Sequence, residues 1–340
     1  MRRRGGAGLW LGLLLWGATA WGATYYVSPS GSDGNAGSEG QPFRTVARGL
    51  QSLASGDTLY LRGGNYGEEI NPTVGGIPNG GGSWATATTI AGYPGETAQI
   101  GRINLGDGGG FAWMRFTNLT LPSVFLAGDT HHIRVDGSDI AYSPNHGIAG
   151  GGGFHEFVSN KIHDAYYYGT YWAGHDTLFE NNDFYNNGGY AVHLYNTGAT
   201  NVSENVIRNN RITGNGLRHN DQHSGGVILS HGTNNQAYNN LIDGNFAGVQ
   251  VDYDCVECQV HDNTISNNLT YSIQVGRAVN THIWGNTITG NGNDGIADTG
   301  SGTTTEPGAP PRPGTPESPG GGPAPRLPPR TTTTLAAGNP

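Results

Sequence analysis

The chain has 340 residues, a formal charge of −9, 59 glycines and only 13% charged residues. That glycine share and low charge disfavour an ordinary helical bundle and fit a chain of many tight turns. The acidic balance argues against broad binding to nucleic acid or to anionic membrane, and the length permits one elongated domain.

Arg2, Arg3 and Arg4 precede the apolar stretch GLWLGLLLWG (8–17) and the small residues ATA (18–20). This is the pattern of an export signal over residues 1–22, too short to span a bilayer comfortably. Its removal leaves 14 basic against 26 acidic residues, a formal charge of −12. The mature chain is expected to be secreted, extracellular or periplasmic, without stable membrane insertion, and a monomer.

Residues 23–66 place Val46, Leu50 and Leu53 on one face of a short helix. Residues 67–299 carry a repeat. Aligning NKIHD (160–164), NDFYNN (182–187), NRITGN (210–215), NLIDGN (240–245), NTISNN (263–268) and NTITGN (286–291) sets Ile162, Phe184, Ile212, Ile242, Ile265 and Ile288 in one ladder. Leu121 and Ile140 extend it backward. A second alternation follows in each unit: Val192/Leu194, Val227/Leu229, Val249/Val251, Ile273/Val275. Period-two alternation means strands, and coils of roughly 22 residues can bury their apolar side only by stacking, which predicts an all-β parallel solenoid. Asn160, Asn182, Asn210, Asn240, Asn263 and Asn286 should form a hydrogen-bonded ladder and also supply left-handed corners. The helix would cover the open end and protect its strand edges. Residues 300–340, rich in Pro, Gly and Thr, read as a disordered tail.

The outward residues of the second strand form columns. One runs Tyr171, His193, Ile228, Gln250, Gln274; the next Ala173, Tyr195, Ser230, Asp252, Gly276; beyond them lie Asn196, His231, Tyr253 and Arg277. Coils sit about 4.8 Å apart, so one polymer could touch a whole column. An inserted loop, NGLRHNDQHSGG (215–226), is expected to bring Arg218, His219, Asp221 and His223 to this face. Cleaving an acidic polysaccharide by elimination needs a cation for the uronate carboxylate, a base for the C5 proton and an acid for the leaving oxygen. Arg277 and Arg218 suit the first role, His193 or His231 the second and Tyr195 the third. Tyr171, Tyr253 and Trp172 would offer apolar faces to sugar rings, with Gln250 and Gln274 as polar contacts.

Asp252, Asp254 and Glu257 lie close together in DYDCVEC and would suit Ca²⁺; a solvated acidic turn is the alternative. Cys255 and Cys258 fit either a local disulfide or two free thiols. The sole lysine, Lys161, lies in the asparagine-rich strand, away from the proposed face.

The repeat phrases resemble the right-handed parallel β-helix repeats of the pectin-lyase-like superfamily. TYYVSPSGSDGNAGSEGQPFRTVARGLQSLASGDTLYLRGGNY (24–66) is similar to the cap that opens many secreted bacterial β-helix proteins, some of them polysaccharide lyases, and TTIAGYPGETAQI (88–100) to the coil that follows. The resemblance covers residues 24–299 and implies a right-handed β-helix that binds or acts on a polysaccharide. GGVILSHGTNN and AGVQVDYD also resemble coils of mannuronan C5-epimerases, although the Asp-Pro-His motif of those enzymes is missing. The clustered aspartates of the superfamily's hydrolases are missing too, which leaves lyase, epimerase or a non-catalytic adhesion or structural surface as the implied classes.

Overall fold

The computed structural model describes residues 22–72, 76–106, 109–195, 202–219 and 224–306. The expected export signal, nearly all of the expected tail, and a second compact unit, Pro310–Pro340, lie outside the described residues.

Three short strands make each coil. One coil holds Leu178–Glu180, Asp183–Tyr185 and Val192–Leu194, and the next holds Val206–Arg208, Arg211–Thr213 and Val227–Ser230. Equivalent strands pair in parallel and build three long sheets of 12, 10 and 10 strands. The first sheet runs from Thr24–Val27 to Thr304–Thr305, the second from Gly64–Asn65 to Thr287–Thr289, and the third from Glu69–Ile70 to Asn293–Asp298. The expected boundaries shift slightly. Thr58–Leu61 already belongs to the first coil, and the last strand extends beyond residue 299.

The core is a set of stacked side chains. Leu121, Ile140, Ile162, Phe184, Ile212, Ile242, Ile265 and Ile288 pair in register along the second sheet, as the repeat predicts. Phe157, Phe179, Ile207, Ala237, Val260 and Ile283 do the same along the first. Almost all of these are fully buried, and each aliphatic or aromatic side chain so buried contributes about 1.5–3 kcal/mol. The helix Val46–Gln51 closes the N-terminal end: Val46 and Leu50 are buried, and its first N–H groups donate to the Glu68 carboxylate. Leu53 packs against the core from just past the helix end.

The asparagine ladder is present, with one difference of detail. The Oδ1 of Asn210 accepts from the Asn182 backbone N–H (2.8 Å) and side-chain amide (3.0 Å), while its own amide donates to Phe179 O (2.9 Å) and Asn240 Oδ1 (3.0 Å). The left-handed residue at each of these corners is the one before the ladder asparagine: Ser159, Asn181, Asn209 and Asn239, at φ 56°, 55°, 57° and 54°. The two tasks fall to adjacent positions because the ladder side chain must point inward while the chain reverses outside it. A second ladder, Asn187–Asn215–Asn245–Asn268–Asn291, lines the next corner. It ends on Asp294, whose Oδ1 accepts from the Asn291 backbone N–H (2.6 Å) and side-chain amide (2.9 Å).

Asn210→Ala strands buried donors and acceptors on both neighbouring coils and should lower unfolding free energy by roughly 2–4 kcal/mol. Asn209→Gly, at an exposed left-handed position, should change it by less than about 0.5 kcal/mol. Denaturant unfolding of the two variants checks both values.

Candidate active site

The outward columns of the third sheet are those read from the repeat: Tyr171 pairs with His193, His193 with Ile228, Ile228 with Gln250 and Gln250 with Gln274. Ser230 pairs with Asp252 in the next column. Alternation places Trp172 in the inward set with Leu194, so it is core and not a sugar-facing ring; its indole N–H donates to Thr177 Oγ1 at 3.1 Å. The 28-residue repeat step comes from a longer corner between Leu194 and Val206, while Asn215–Gly226 supplies the 30-residue step. Both long corners therefore flank this face.

Here the side chains converge. Tyr171 stacks on Tyr195 (4.8 Å between centroids), Tyr195 meets His231 edge-on (6.1 Å), His231 stacks on Tyr253 (5.6 Å), and the Arg277 guanidinium lies over the Tyr253 ring at 4.5 Å. His193 is 6% exposed, enclosed by the rings of Tyr168, Tyr171, Tyr190 and Tyr195. That enclosure keeps it from reaching a polymer in the face. His231 and Tyr195 are half-buried, and the Arg277 side chain is 69% exposed.

A buried polar relay supports this surface. Tyr190 donates its hydroxyl to Gln250 Oε1, and Gln250 Nε2 donates to Asp252 Oδ2 at 3.2 Å. Asp252 Oδ1 accepts from the backbone N–H groups of Tyr253 (2.6 Å) and Arg277 (2.8 Å) and meets the Arg277 side chain at 3.4 Å. Gln250 is thus a support more than a sugar contact, while Gln274 is half-buried beside it.

Burial lowers the proton affinity of His231, and the Arg277 charge adds to this against the opposing pull of Asp254 and Asp252. The Tyr171 hydroxyl is raised by burial and by its hydrogen bond with Tyr195. His146, sandwiched against Tyr168 (5.1 Å) and Tyr171 (4.8 Å), is lowered by burial to about 4. His146, Tyr168 and Tyr190 did not enter the sequence columns, yet they recur at the 22-residue step one corner earlier, so the same period carries the signal for them.

Other expected residues do not join the cluster. Arg218 donates to the carbonyls of Ala165 (2.9 Å) and Asn186 (2.6 Å), and His219 bonds Tyr166 O (2.7 Å), so this loop clamps the preceding corners. Asp221 and His223 lie outside the described residues. Asp252, Asp254 and Glu257 do not form a calcium cage. Asp252 is held by donors, and Glu257 turns to another corner and accepts from Asn280 (2.9 Å) beside His282 (3.2 Å). Among the described residues no group of three or more His, Cys, Asp or Glu could hold a metal ion. Cys255 and Cys258 form a disulfide that staples this segment. No helix among the described residues is long and apolar enough to cross a membrane.

Parallel coils with three sheets, stacked amide corners and an aromatic outer face define a right-handed parallel β-helix. Residues 146–307 match the family described as "Right handed beta helix region". The fold is similar to that of pectate lyase Pel9A (TM-score 0.56, 14% identity, 82% of this chain and 79% of that one). It is also similar to XylC, solved with xylose (0.54, 13%, 83% and 68%), and to ORF18 of Geobacillus virus E2 (0.51, 14%, 76% and 54%). A short segment is 46% identical over 46 residues to the uncharacterized protein YwoF of Bacillus subtilis (strain 168); it spans 14% of this chain and only 10% of that protein.

His146 and His155, the latter lowered by burial to about 3, are held neutral in the folded chain but gain protons readily once unfolded. Acid therefore favours the unfolded state: stability is intact above about pH 6.5 and falls as pH drops towards 4 and then 3. His146→Phe should show a shallower loss between about pH 6.5 and 4 when Tm is followed against pH.

Proposed function

We propose that this chain is an exported protein that binds a uronate-containing polysaccharide along the outer face of the third sheet and abstracts its C5 proton, giving β-elimination or C5 epimerisation. The observation that carries this reading is the half-buried His231 set between the rings of Tyr195 and Tyr253, the latter carrying the exposed Arg277 guanidinium. Arg277 pairs with the sugar carboxylate and stabilises the negative charge that builds there as the proton leaves. His231, kept neutral by burial, is the base that takes that proton. Tyr195 then completes the reaction. In elimination it protonates the O4 leaving oxygen as the C4–O4 bond breaks and the C4–C5 double bond forms; in epimerisation it returns a proton to the other face of C5. His193 positions the tyrosine rings and is not the base. The fold supports this reading, since a pectate lyase shares it, and the disulfide fits an oxidising compartment.

The test is incubation of the full chain with alginate, pectate and glycosaminoglycans, with and without calcium, following unsaturated products by absorbance and C5 inversion by NMR. His231→Ala and Tyr195→Phe should each lower kcat/KM by about 100-fold or more, and Arg277→Lys should not restore the loss seen in Arg277→Ala. The acid limb of kcat/KM should fall below about pH 6.5, because a base with lowered proton affinity stays active at lower pH. Unchanged turnover in His231→Ala removes it as base. No reaction with any of these polymers removes the chemistry and leaves a binding or structural surface.

A further inference from the structure

A second aromatic surface lies at the corner where the third sheet turns into the first, in the N-terminal coils. Trp113, His132 and Phe154 occupy the left-handed position of three successive corners, at φ 55°, 53° and 58°. Later coils fill that position with Asp176, Glu204, Asn234, Glu257 and Asn280. A bulky ring such as Trp113 or Phe154 is a poor occupant of left-handed backbone, where Asn, Asp and His are at ease, so two of them flanking a histidine point to a task the scaffold itself does not set.

The rings form one layered platform. Trp113 and His132 stack at 3.9 Å, His132 and Phe154 at 5.1 Å, and Trp84 meets Trp113 edge-on at 5.4 Å. Phe154 is 48% and Trp84 37% exposed. Beside them an open cleft of about 440 Å³ is lined by Asp129, His131, His132, Phe154 and His175, with no arginine or lysine among the described residues. Burial and the neighbouring His131 lower the proton affinity of His132, which keeps the middle of the platform uncharged at neutral pH.

We infer that this corner is a second carbohydrate-binding site, which takes the apolar face of a pyranose ring from an uncharged glycan. The stacked rings cover one another's faces and together present a continuous apolar edge against which the C–H face of a sugar can lie, while Asp129 and His175 supply polar partners for its hydroxyls. The charge pattern selects the ligand: the Asp129 carboxylate, in a lining without arginine or lysine among the described residues, disfavours a uronate. A few partly exposed rings also fall well short of the roughly 800 Å² per partner that a stable protein interface buries. The inference is independent of the uronate chemistry, because it rests on a different face and on opposite charge.

The test titrates the full chain with cello-, xylo-, manno- and galacto-hexaoses and with uronate hexamers, read by tryptophan fluorescence and calorimetry. At least one uncharged hexaose should bind saturably. Trp113→Asn and Phe154→Asn should each weaken it at least tenfold without lowering Tm, since Asn suits the left-handed corner. Should either substitution lower Tm, the other carries the test. Arg277→Ala should leave uncharged-glycan binding within twofold. Failure of every uncharged hexaose to bind, wild-type affinity in the folded Asn variants, or equal loss on Arg277→Ala would overturn the site.

Discussion

The buried asparagine amide is the constraint from which the rest of this structure follows. At Asn182, Asn210 and Asn240 the side chain bonds to the same residue in the next coil and to a backbone carbonyl of the preceding one. These side chains are buried, so a slipped register would leave donors and acceptors unsatisfied on two coils at once. The ladder thereby fixes register, and register fixes the apolar stacks of all three sheets. The outward columns inherit the same order. Tyr171, His193 and Gln250 stand in line because amides on a different corner hold their coils in step.

Repetition also explains how an ordinary scaffold holds unusual side chains. Sheet and ladder bonds satisfy the backbone independently of what points outward, so the outer face is free to carry clustered rings and histidines. Packing among those rings then sets their chemistry. Enclosure by tyrosines keeps His146 neutral and makes His193 a fixture of the wall, while partial exposure leaves His231 able to exchange protons. Asp252 shows the complementary effect. Its carboxylate gathers backbone N–H groups and the Arg277 side chain, which ties two neighbouring coils together at the surface.

Much of this was legible in the sequence because parallel coils turn a linear period into spatial columns. The apolar ladder from Leu121 to Ile288 and the column from Tyr171 to Gln274 needed only counting. Depth and corners were harder to read. Alternation gives the side of the sheet but not the height of its walls, so the burial of His193 depends on Tyr168 and Tyr190, which stand on a corner and not on the strand. Trp172 shows the opposite case, where aromatic character suggested a surface that strict alternation denies. Loop residues such as Arg218 depend on backbone carbonyls that no periodicity describes. The same holds for the acidic segment at 252–257, whose neighbours in sequence turn to different corners.

The second ladder closes on Asp294, which lies three residues further along the same coil as Asn291. Each earlier asparagine of this corner has its backbone N–H and amide satisfied by the rung in the next coil. The carboxylate accepts the same bonds and offers no donor, and its proton affinity is lowered by them, so it stays charged. The Asn291 donors are thus satisfied by a charged group of their own coil. The amide ladder of this corner therefore finishes without calling on a further coil to complete it.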